Sequence, residues 1–453
     1  MAIVGELELP GLDYTDPSLR GERFHEAMRE LRAQGWLASG PYGYVVLDRE
    51  SGEHFLRTRE AIFPGMTIAE IFDVREGPLF EQMKRNILHV NGPDHTRLRS
   101  LVNPALSARA LARHRPAMRE FLERLFADAC AAGRGSDGVV KCEFVEAFAK
   151  PYPSQAIALV MGAPVEDAPR LHHWSNWIQR QFDAASMAGE RDGIEQAVKE
   201  FYEYARALVA ARREDPRDDL ISKLIAATLP EPPEGGQAGA GGERAGAGGD
   251  GANVTGEGAS VEGRAKGAAR QRNRLSDVEC INLVFNVLVG GVDTTQSQLA
   301  HAIRLLAERP EQWELLRREP DLAERAVEEA LRYEPITPFT ARITTADVTF
   351  RDVTFPAGTV VMVCAFTANR DLKPGEGEPE EFDIAADRGK ARALTFGAGI
   401  HNCVGANLAR LELKEALKFL AERMPKLELD GEPEYETITG IYGLARLPIK
   451  FSL

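Results

Sequence analysis

Apolar residues recur at helical spacing over most of the chain and alternate at strand spacing over a small part of it. Gly21 to Gln34 reads as a helix, and Tyr42-Gly-Tyr-Val-Val-Leu-Asp48 alternates and is β-branched like a strand, so a small sheet is expected to begin there. Phe63 to Asn91 is irregular, with Pro64, Gly65, Gly77 and Pro78 separating short apolar pieces. It reads equally well as a surface loop with a few anchors and as a loop lining a binding site. A turn at Asn91-Gly-Pro then yields to a helix reaching Val102. From Pro116 to about Leu229, Leu, Phe and Ala on one face oppose Glu and Arg on the other, which predicts a run of helices. The helical pattern resumes beyond Pro310 and stops before Pro335. Val348 to Ala365, with a turn at Pro356-Ala-Gly358, reads as strand and completes the sheet, and Asn407 to Lys418 is a good helix former. The fold class is mainly α with a small β region.

Two stretches break this pattern. Residues 230–274 hold Pro232-Pro233 and repeated Gly-Ala-Gly-Gly with roughly a third of the chain's 41 glycines. Such a segment buries too little apolar surface to offset its ordering entropy and is expected to be a flexible, disordered insertion within one domain spanning 1–453. The second break lies inside a helix. Ser276 and Glu279 stand three apart as in a capping box, and Ile281-Asn-Leu-Val-Phe-Asn-Val-Leu-Val289 is apolar on most sides, so this helix must run through the interior. In its middle sits Gly290-Gly-Val-Asp-Thr-Thr295. Two glycines cost about 1 kcal/mol each in a helix interior, and an acid with two threonines is poorly placed there. Such local rule-breaking marks a candidate functional site, its rival being a tolerated kink where another helix crosses closely.

Charge and cysteine usage narrow the classes. A formal net charge of -14 argues against general affinity for nucleic acid or an anionic membrane surface. The five cysteines form no C-x-x-C pair and are odd in number, which argues against a disulfide framework, a zinc site or an iron–sulfur cluster and fits a reducing cytoplasm. The N-terminus has acidic residues where a signal peptide needs basic ones, and no run of about 20 apolar residues is apparent, so no membrane anchor is expected.

One cysteine stands apart. Cys403 lies in Leu394-Thr-Phe-Gly-Ala-Gly-Ile-His-Asn-Cys-Val-Gly-Ala-Asn-Leu-Ala-Arg410, a glycine-punctuated loop running into a helix. Gly397, Gly399 and Gly405 permit unusual backbone conformations and close approach of a flat ligand, and a helix start favours the thiolate that binds metal. A lone cysteine is more often a packed apolar residue, but packing alone needs neither Phe396, nor flanking glycines, nor His401 two residues before. The pattern F-G-x-G-x-H-x-C-x-G followed by Leu-Ala-Arg resembles the haem-binding loop of the cytochrome P450 family in its bacterial, soluble, class I form. The resemblance implies the P450 fold, with haem b between the long distal helix and the Cys403 loop, Cys403 as axial thiolate, and donation from sulfur that favours O–O cleavage.

The remaining assignments follow from that resemblance. Gly290 to Thr295 is similar to the family's oxygen-binding segment, which makes Asp293 and Thr294 the catalytic acid and alcohol, with the glycines, Gly291 among them, thinning the helix beside the haem. His95 and Arg99, four apart on one helix face, resemble the segment that meets the haem propionates, with Arg342 and His401 as further partners and Phe396 and Gly397 in the cofactor loop. Glu329 and Arg332 resemble the family's structural ion pair, joined by Arg388. Phe63 to Leu88, Val287 to Gly291, Ile336 to Thr340 and Ile441 to Leu444 are expected to line an apolar pocket. The implied activity is insertion of one oxygen atom from O2 into an apolar small molecule, with electrons from NAD(P)H through a ferredoxin and its reductase. Arg97, Arg392, Arg410 and Lys414 are candidates for binding that ferredoxin, though ordinary solvated charge explains them equally well. A peroxide-driven hydroxylase and a non-catalytic carrier-docking module are the rivals, and the acid–alcohol pair counts against both.

Overall fold

The computed structural model describes residues 1–228, 274–389 and 392–453. The glycine-rich insertion, apart from Arg274, and the expectation that it is disordered lie outside the described residues.

Strand-forming segments are short, and those used below are β1 (Leu37–Gly40), β2 (Gly43–Val46), β3 (Ala61–Ile62), β4 (Val139–Glu143), β5 (Phe339–Thr344), β6 (Val360–Cys364) and β7 (Pro448–Ser452). β1 and β2 form a hairpin with Leu37 opposite Val46, and β2 then pairs in parallel with β6, Tyr44 opposite Val361. β6 pairs antiparallel with β5, and β5 with β3, giving the sheet order β1-β2-β6-β5-β3. The parallel contact is close: a Cβ on Gly43 would lie 2.2 Å from the Val360 carbonyl oxygen. The predicted sheet is therefore present, but of the expected Val348 to Ala365 strand only Val360–Cys364 joins it: Val348–Phe350 and Val353–Phe355 pair with each other and with Ala2–Ile3 in a separate sheet. The hairpin begins five residues earlier than its apolar alternation suggests.

Helices make up the rest of the core: α1 (Gly92–Val102), α2 (Pro151–Met161), α3 (Ala168–Gln179), α4 (Asp277–Gly290), α5 (Asp293–Ala307), α6 (Ala323–Tyr333) and α7 (Ala406–Arg423) are those that shape the site. The run of helices expected from Pro116 to Leu229 is interrupted by β4, which pairs along its whole length with β7, Val139 opposite Ser452. A five-residue edge strand recruited by a partner more than 300 positions away leaves too weak a local pattern to be seen among amphipathic helices. Phe63 to Asn91 is likewise more ordered than its sequence suggests, forming short helices at Met66–Ile71 and Gly77–Arg85.

α4 opens on the predicted capping box: Ser276 Oγ accepts from Glu279 N, and the Glu279 carboxylate accepts from Ser276 N. Together α4 and α5 span Asp277–Ala307, a stretch long and apolar enough to cross a membrane by length and composition, and most of it is buried inside the protein. The expectation that no such run exists is corrected here. Polar residues at Asn282, Asn286 and 293–298 interrupt the apolar sequence, while the helix as a whole passes through the core.

α6 fixes the site from behind. Arg332 forks onto Glu329 with two 2.8 Å hydrogen bonds, and Arg388 adds bonds of 2.7 and 3.1 Å to the same carboxylate. Both guanidinium groups also donate to the Glu381 carbonyl, and Asp383 N donates to Glu329 at 2.9 Å. Burial would raise the Glu329 pKa, but the hydrogen bonds from Arg332 and Arg388 outweigh it and hold the carboxyl below its ordinary value. A depressed folded-state pKa contributes stability that is present above the unfolded pKa and lost as pH falls through the folded one. Glu329→Ala is expected to cost about 3–5 kcal/mol, because it leaves two buried cations unpaired. Urea titrations at neutral pH and near pH 3 should show that loss shrinking in acid; an unchanged difference at the two pH values would contradict it.

Candidate active site

The Cys403 loop is held at both ends. Thr395 Oγ1 donates to the Leu331 carbonyl of α6 at 2.5 Å, Asn369 Oδ1 accepts from Leu394 N at 2.7 Å, and Cys403 N donates to the Phe396 carbonyl at 2.9 Å. Asn402 Nδ2 bridges the Phe396 and Gly397 carbonyls. Gly397 and Gly399 adopt φ of 64° and 71°. A Cβ on Gly399 would come within 2.4 Å of the Leu56 carbonyl oxygen. Gly399 thus serves packing of the loop on its neighbour rather than approach of a ligand. Arg410, one turn into α7, stacks 4.6 Å over the Phe396 ring and pairs with Glu328.

Cys403 sits deep in the protein with its surface open to a cavity of about 470 Å3. Burial pushes its thiol up, while the Gly405 and Ala406 backbone N–H groups and the charges of Arg99 and Arg410 pull it down. The helix start therefore does favour the thiolate as expected, but it works against a larger desolvation cost that a bound cation would remove.

Hydrogen-bond donors gather on the same cavity wall. The guanidinium groups of Arg99 and Arg342 and the imidazoles of His95 and His401 all line it, and among the described residues no carboxylate does. Arg342 is 2% exposed, donates only to the neighbouring Ala341 carbonyl among the described residues, and has its pKa pushed down to about 10 by burial. His401 Nε2 lies 2.9 Å from Asn91 Oδ1, its Nδ1 has no hydrogen-bond partner among the described residues, and burial followed by the His95 and Arg342 charges pushes its pKa down to about 3. Its ring lies 4.3 Å from that of His95. Buried cations and orphaned donors without anions are costly unless something anionic completes them. A flat dianionic group with a thiolate-seeking metal supplies what is missing, so the residues fit haem. Asn91 escaped the sequence reading because an Asn before Gly-Pro reads as turn chemistry alone.

Opposite the cysteine, the central helix breaks. Gly291 and Val292 leave helical order, and the Val289 carbonyl accepts instead from Ser175 Oγ at 2.8 Å and Gln179 Nε2 at 3.4 Å on α3. Thr294 lines the cavity, and its hydroxyl donates to the Gly290 carbonyl at 2.8 Å. That hydroxyl is thus bonded to its own helix rather than drawn away from it, which leaves its lone pairs to accept from the cavity. Asp293 does not line the cavity. It is 4% exposed, neither carboxylate oxygen has a hydrogen-bond partner among the described residues, and burial followed by the charge of Glu436 pushes its carboxyl well above the ordinary range.

The two adjacent glycines do different things. A Cβ on Gly290 would meet nothing within 4 Å, whereas one on Gly291 would lie 2.7 Å from Ile157 Cγ1 of α2. Both glycines line the cavity, but only Gly291 is also closed in by a crossing helix, which is the kink reading offered by the sequence.

Phe63, Thr67, Ile68, Ile336 and Ile441 line the cavity, so the irregular segment after Phe63 is pocket wall. Of the residues suggested to meet a ferredoxin, Arg97 pairs with Glu279, Arg410 with Glu328 and Lys414 with Glu324. A second buried network had no sequence signature: Glu334 binds His25 at 3.0 Å and Arg304 at 2.7 Å, which joins the first helix, α5 and α6. Its members are too far apart in sequence to form a pattern.

A mainly helical body with a small sheet, a cysteine loop beneath a cavity and a glycine-broken helix above it define a haem-thiolate oxygenase. The family model for cytochrome P450 matches residues 18–424, and the chain belongs to that family. Luteothin monooxygenase of Streptomyces thioluteus is 30% identical over 448 residues, covering 98% of this chain and 96% of the relative. Mycinamicin IV hydroxylase/epoxidase of Micromonospora griseorubida is 32% identical over 356 residues, covering 78% and 76%. Among solved structures, CalO2 aligns with a TM-score of 0.78 at 28% identity over 98% of this chain and 99% of the other. P450BioI in complex with an acyl carrier protein ligated to hexadec-9-enoic acid aligns with a TM-score of 0.76 at 26% identity, over 95% and 99%. The protein is a haem-thiolate monooxygenase.

The two glycines make separable predictions. Gly291→Ala is expected to destabilise the protein by about 1–3 kcal/mol by overpacking against Ile157. Gly290→Ala is expected to leave thermal stability unchanged or raised, by up to about 1 kcal/mol from helix propensity, while weakening binding of bulky ligands in optical titrations. The reverse ranking of stabilities would refute the division.

Proposed function

We propose that this enzyme hydroxylates or epoxidises a hydrophobic small molecule, using electrons from NAD(P)H passed through a ferredoxin and its reductase. The observation that carries the reading is the one cavity that joins Cys403, the cations Arg99 and Arg342, the imidazoles of His95 and His401, and Thr294. Cys403 would hold the haem iron from below; Arg99, Arg342, His95 and His401 would take the two propionates. When bound, the haem supplies activation of O2 and oxygen insertion, which thiolate ligation favours.

The chain's own residues do the rest. The apolar walls exclude bulk water and orient the substrate by shape, since no carboxylate lines the cavity and its cations face the cofactor. Asp293 holds a proton in a dry setting, and Thr294 Oγ1, its hydrogen committed to Gly290, accepts a hydrogen bond that orients water toward the cavity. Arg392, whose side chain has no ion pair among the described residues, is the member of the suggested docking set that remains open to a partner; the carboxylates paired with Arg97, Arg410 and Lys414 would have to be displaced.

Two measurements test this. Apolar ligands are expected to shift the Soret band of the ferric protein saturably, and turnover of such a ligand is expected to require NAD(P)H with a surrogate ferredoxin pair; turnover with hydrogen peroxide alone at equal rate would favour the peroxide-driven reading instead. Thr294→Ala is expected to keep the binding shift while the ratio of product to NAD(P)H consumed falls by roughly tenfold or more and peroxide accumulates. Equal coupling in variant and wild type would defeat the assignment of Thr294.

A further inference from the structure

Asp293 and Thr294 are consecutive on α5, yet they face different surroundings. Thr294 looks into the cavity; Asp293 looks toward α3, where His172 Nε2 lies 3.9 Å from its Oδ1. Like the carboxylate, His172 Nε2 has no hydrogen-bond partner. The two side chains differ in access: His172 is 21% exposed and Asp293 6%. The imidazole therefore stands between solvent and the buried acid.

The other charged groups around the pair are engaged elsewhere. Lys150 and Arg180 both act on Asp293 from a distance, but Lys150 is paired with Glu146, and Arg180 with Glu190 at 2.9 Å. Glu436 opposes ionisation of Asp293. Lys150, Glu146 and His173 act on His172, and the Gln296 side chain lies beside it without a hydrogen bond at Nε2. His172 also belongs to a functional face of its helix. With Ser175 and Gln179 it stands at helical spacing, and those two residues hold the Val289 carbonyl at the helix break.

An acid that gives a proton toward the cavity is left charged in a dry site, at a cost of several kcal/mol. A permanently charged neighbour would stabilise that anion and slow its reprotonation. An imidazole can pass a proton through, because its two nitrogens exchange donor and acceptor roles. The N–H bond at His172 Nε2 breaks as O–H forms at Asp293 Oδ1, and Nδ1 takes a proton from a solvent hydronium, which leaves as water. One proton moves inward and no charge is left behind.

We propose that His172 is the proton-entry residue of this enzyme, a positioning and relay group that acts through Asp293 by closing the gap between Nε2 and Oδ1. This rests on the reading of Asp293 as the distal acid.

The test uses haem-loaded protein with His172→Phe and His172→Gln. In infrared difference spectra, the carbonyl band of protonated Asp293, identified by its absence in Asp293→Asn, is titrated against pH. The midpoint is expected to rise by on the order of one pH unit in His172→Phe, which loses a donor to the carboxylate, and by less in His172→Gln, which keeps one. NADPH-driven O2 uptake through a surrogate ferredoxin pair, measured in H2O and D2O without added substrate, is expected to fall about tenfold in His172→Phe with a larger solvent isotope effect. Should His172→Phe fail to fold, the smaller midpoint shift and slower uptake expected of His172→Gln carry the test. A midpoint identical in all forms overturns the proposal. So does a shifted midpoint with uptake and isotope effect unchanged, since the pair would then be coupled without relaying. Wild-type protein that takes up no O2 would instead defeat the ferredoxin route proposed above, and the infrared titration would still decide whether His172 couples to Asp293.

Discussion

A sulfur at the floor of a buried cavity is useful only if the backbone that carries it cannot relax away. α6 imposes that constraint from two sides. Its Glu329 and Arg332 gather the 376–388 meander through Arg388, and the Leu331 carbonyl between them accepts from Thr395 in the cysteine loop. Meander and loop are thus referred to one rigid helix, and the ion pairs that fix it, at Glu329, Arg332 and Arg388, lie outside the cavity wall. Buried ion pairs of this kind add little net stability over apolar packing, yet are costly to break. Their value here is geometric.

Above the cavity the molecule accepts local instability to obtain function. The break between α4 and α5 leaves a carbonyl that α3 must satisfy, a carboxylate with no partner, and a threonine bonded back to its own turn. Each feature is unfavourable in a helix interior, and they occur together within six residues. Beyond the break, the ordinary turn of α5 sends consecutive side chains into separate compartments, so that an acid facing a polar cluster and a hydroxyl facing an apolar cavity are one peptide apart. A regular helix would offer the same two side chains without the freed carbonyl and without the room beside Gly290.

Much of this was legible in the sequence because the informative residues are local. The cysteine loop, the capping box at Ser276 and Glu279, the acid and alcohol in a glycine-broken apolar helix, and the i, i+3 pair at Glu329 and Arg332 are each readable within a dozen residues. What escaped depends on partners distant in the chain. β4 is a strand because β7 pairs with it, Glu334 is structural because His25 and Arg304 converge on it, and Asn91 matters because His401 folds back to meet it. The role of Gly399 was misread for the same reason, since the atom it must avoid belongs to Leu56.

The adjacent glycines of the central helix carry one further consequence. Position 291 is sterically coupled to position 157 on another helix, while position 290 is coupled only to whatever occupies the cavity. A glycine doublet that looks like one motif is therefore two independent constraints. In the divergence of such enzymes, residue size at 291 should covary with residue size at 157, whereas size at 290 should track the bulk of the molecule being oxidised.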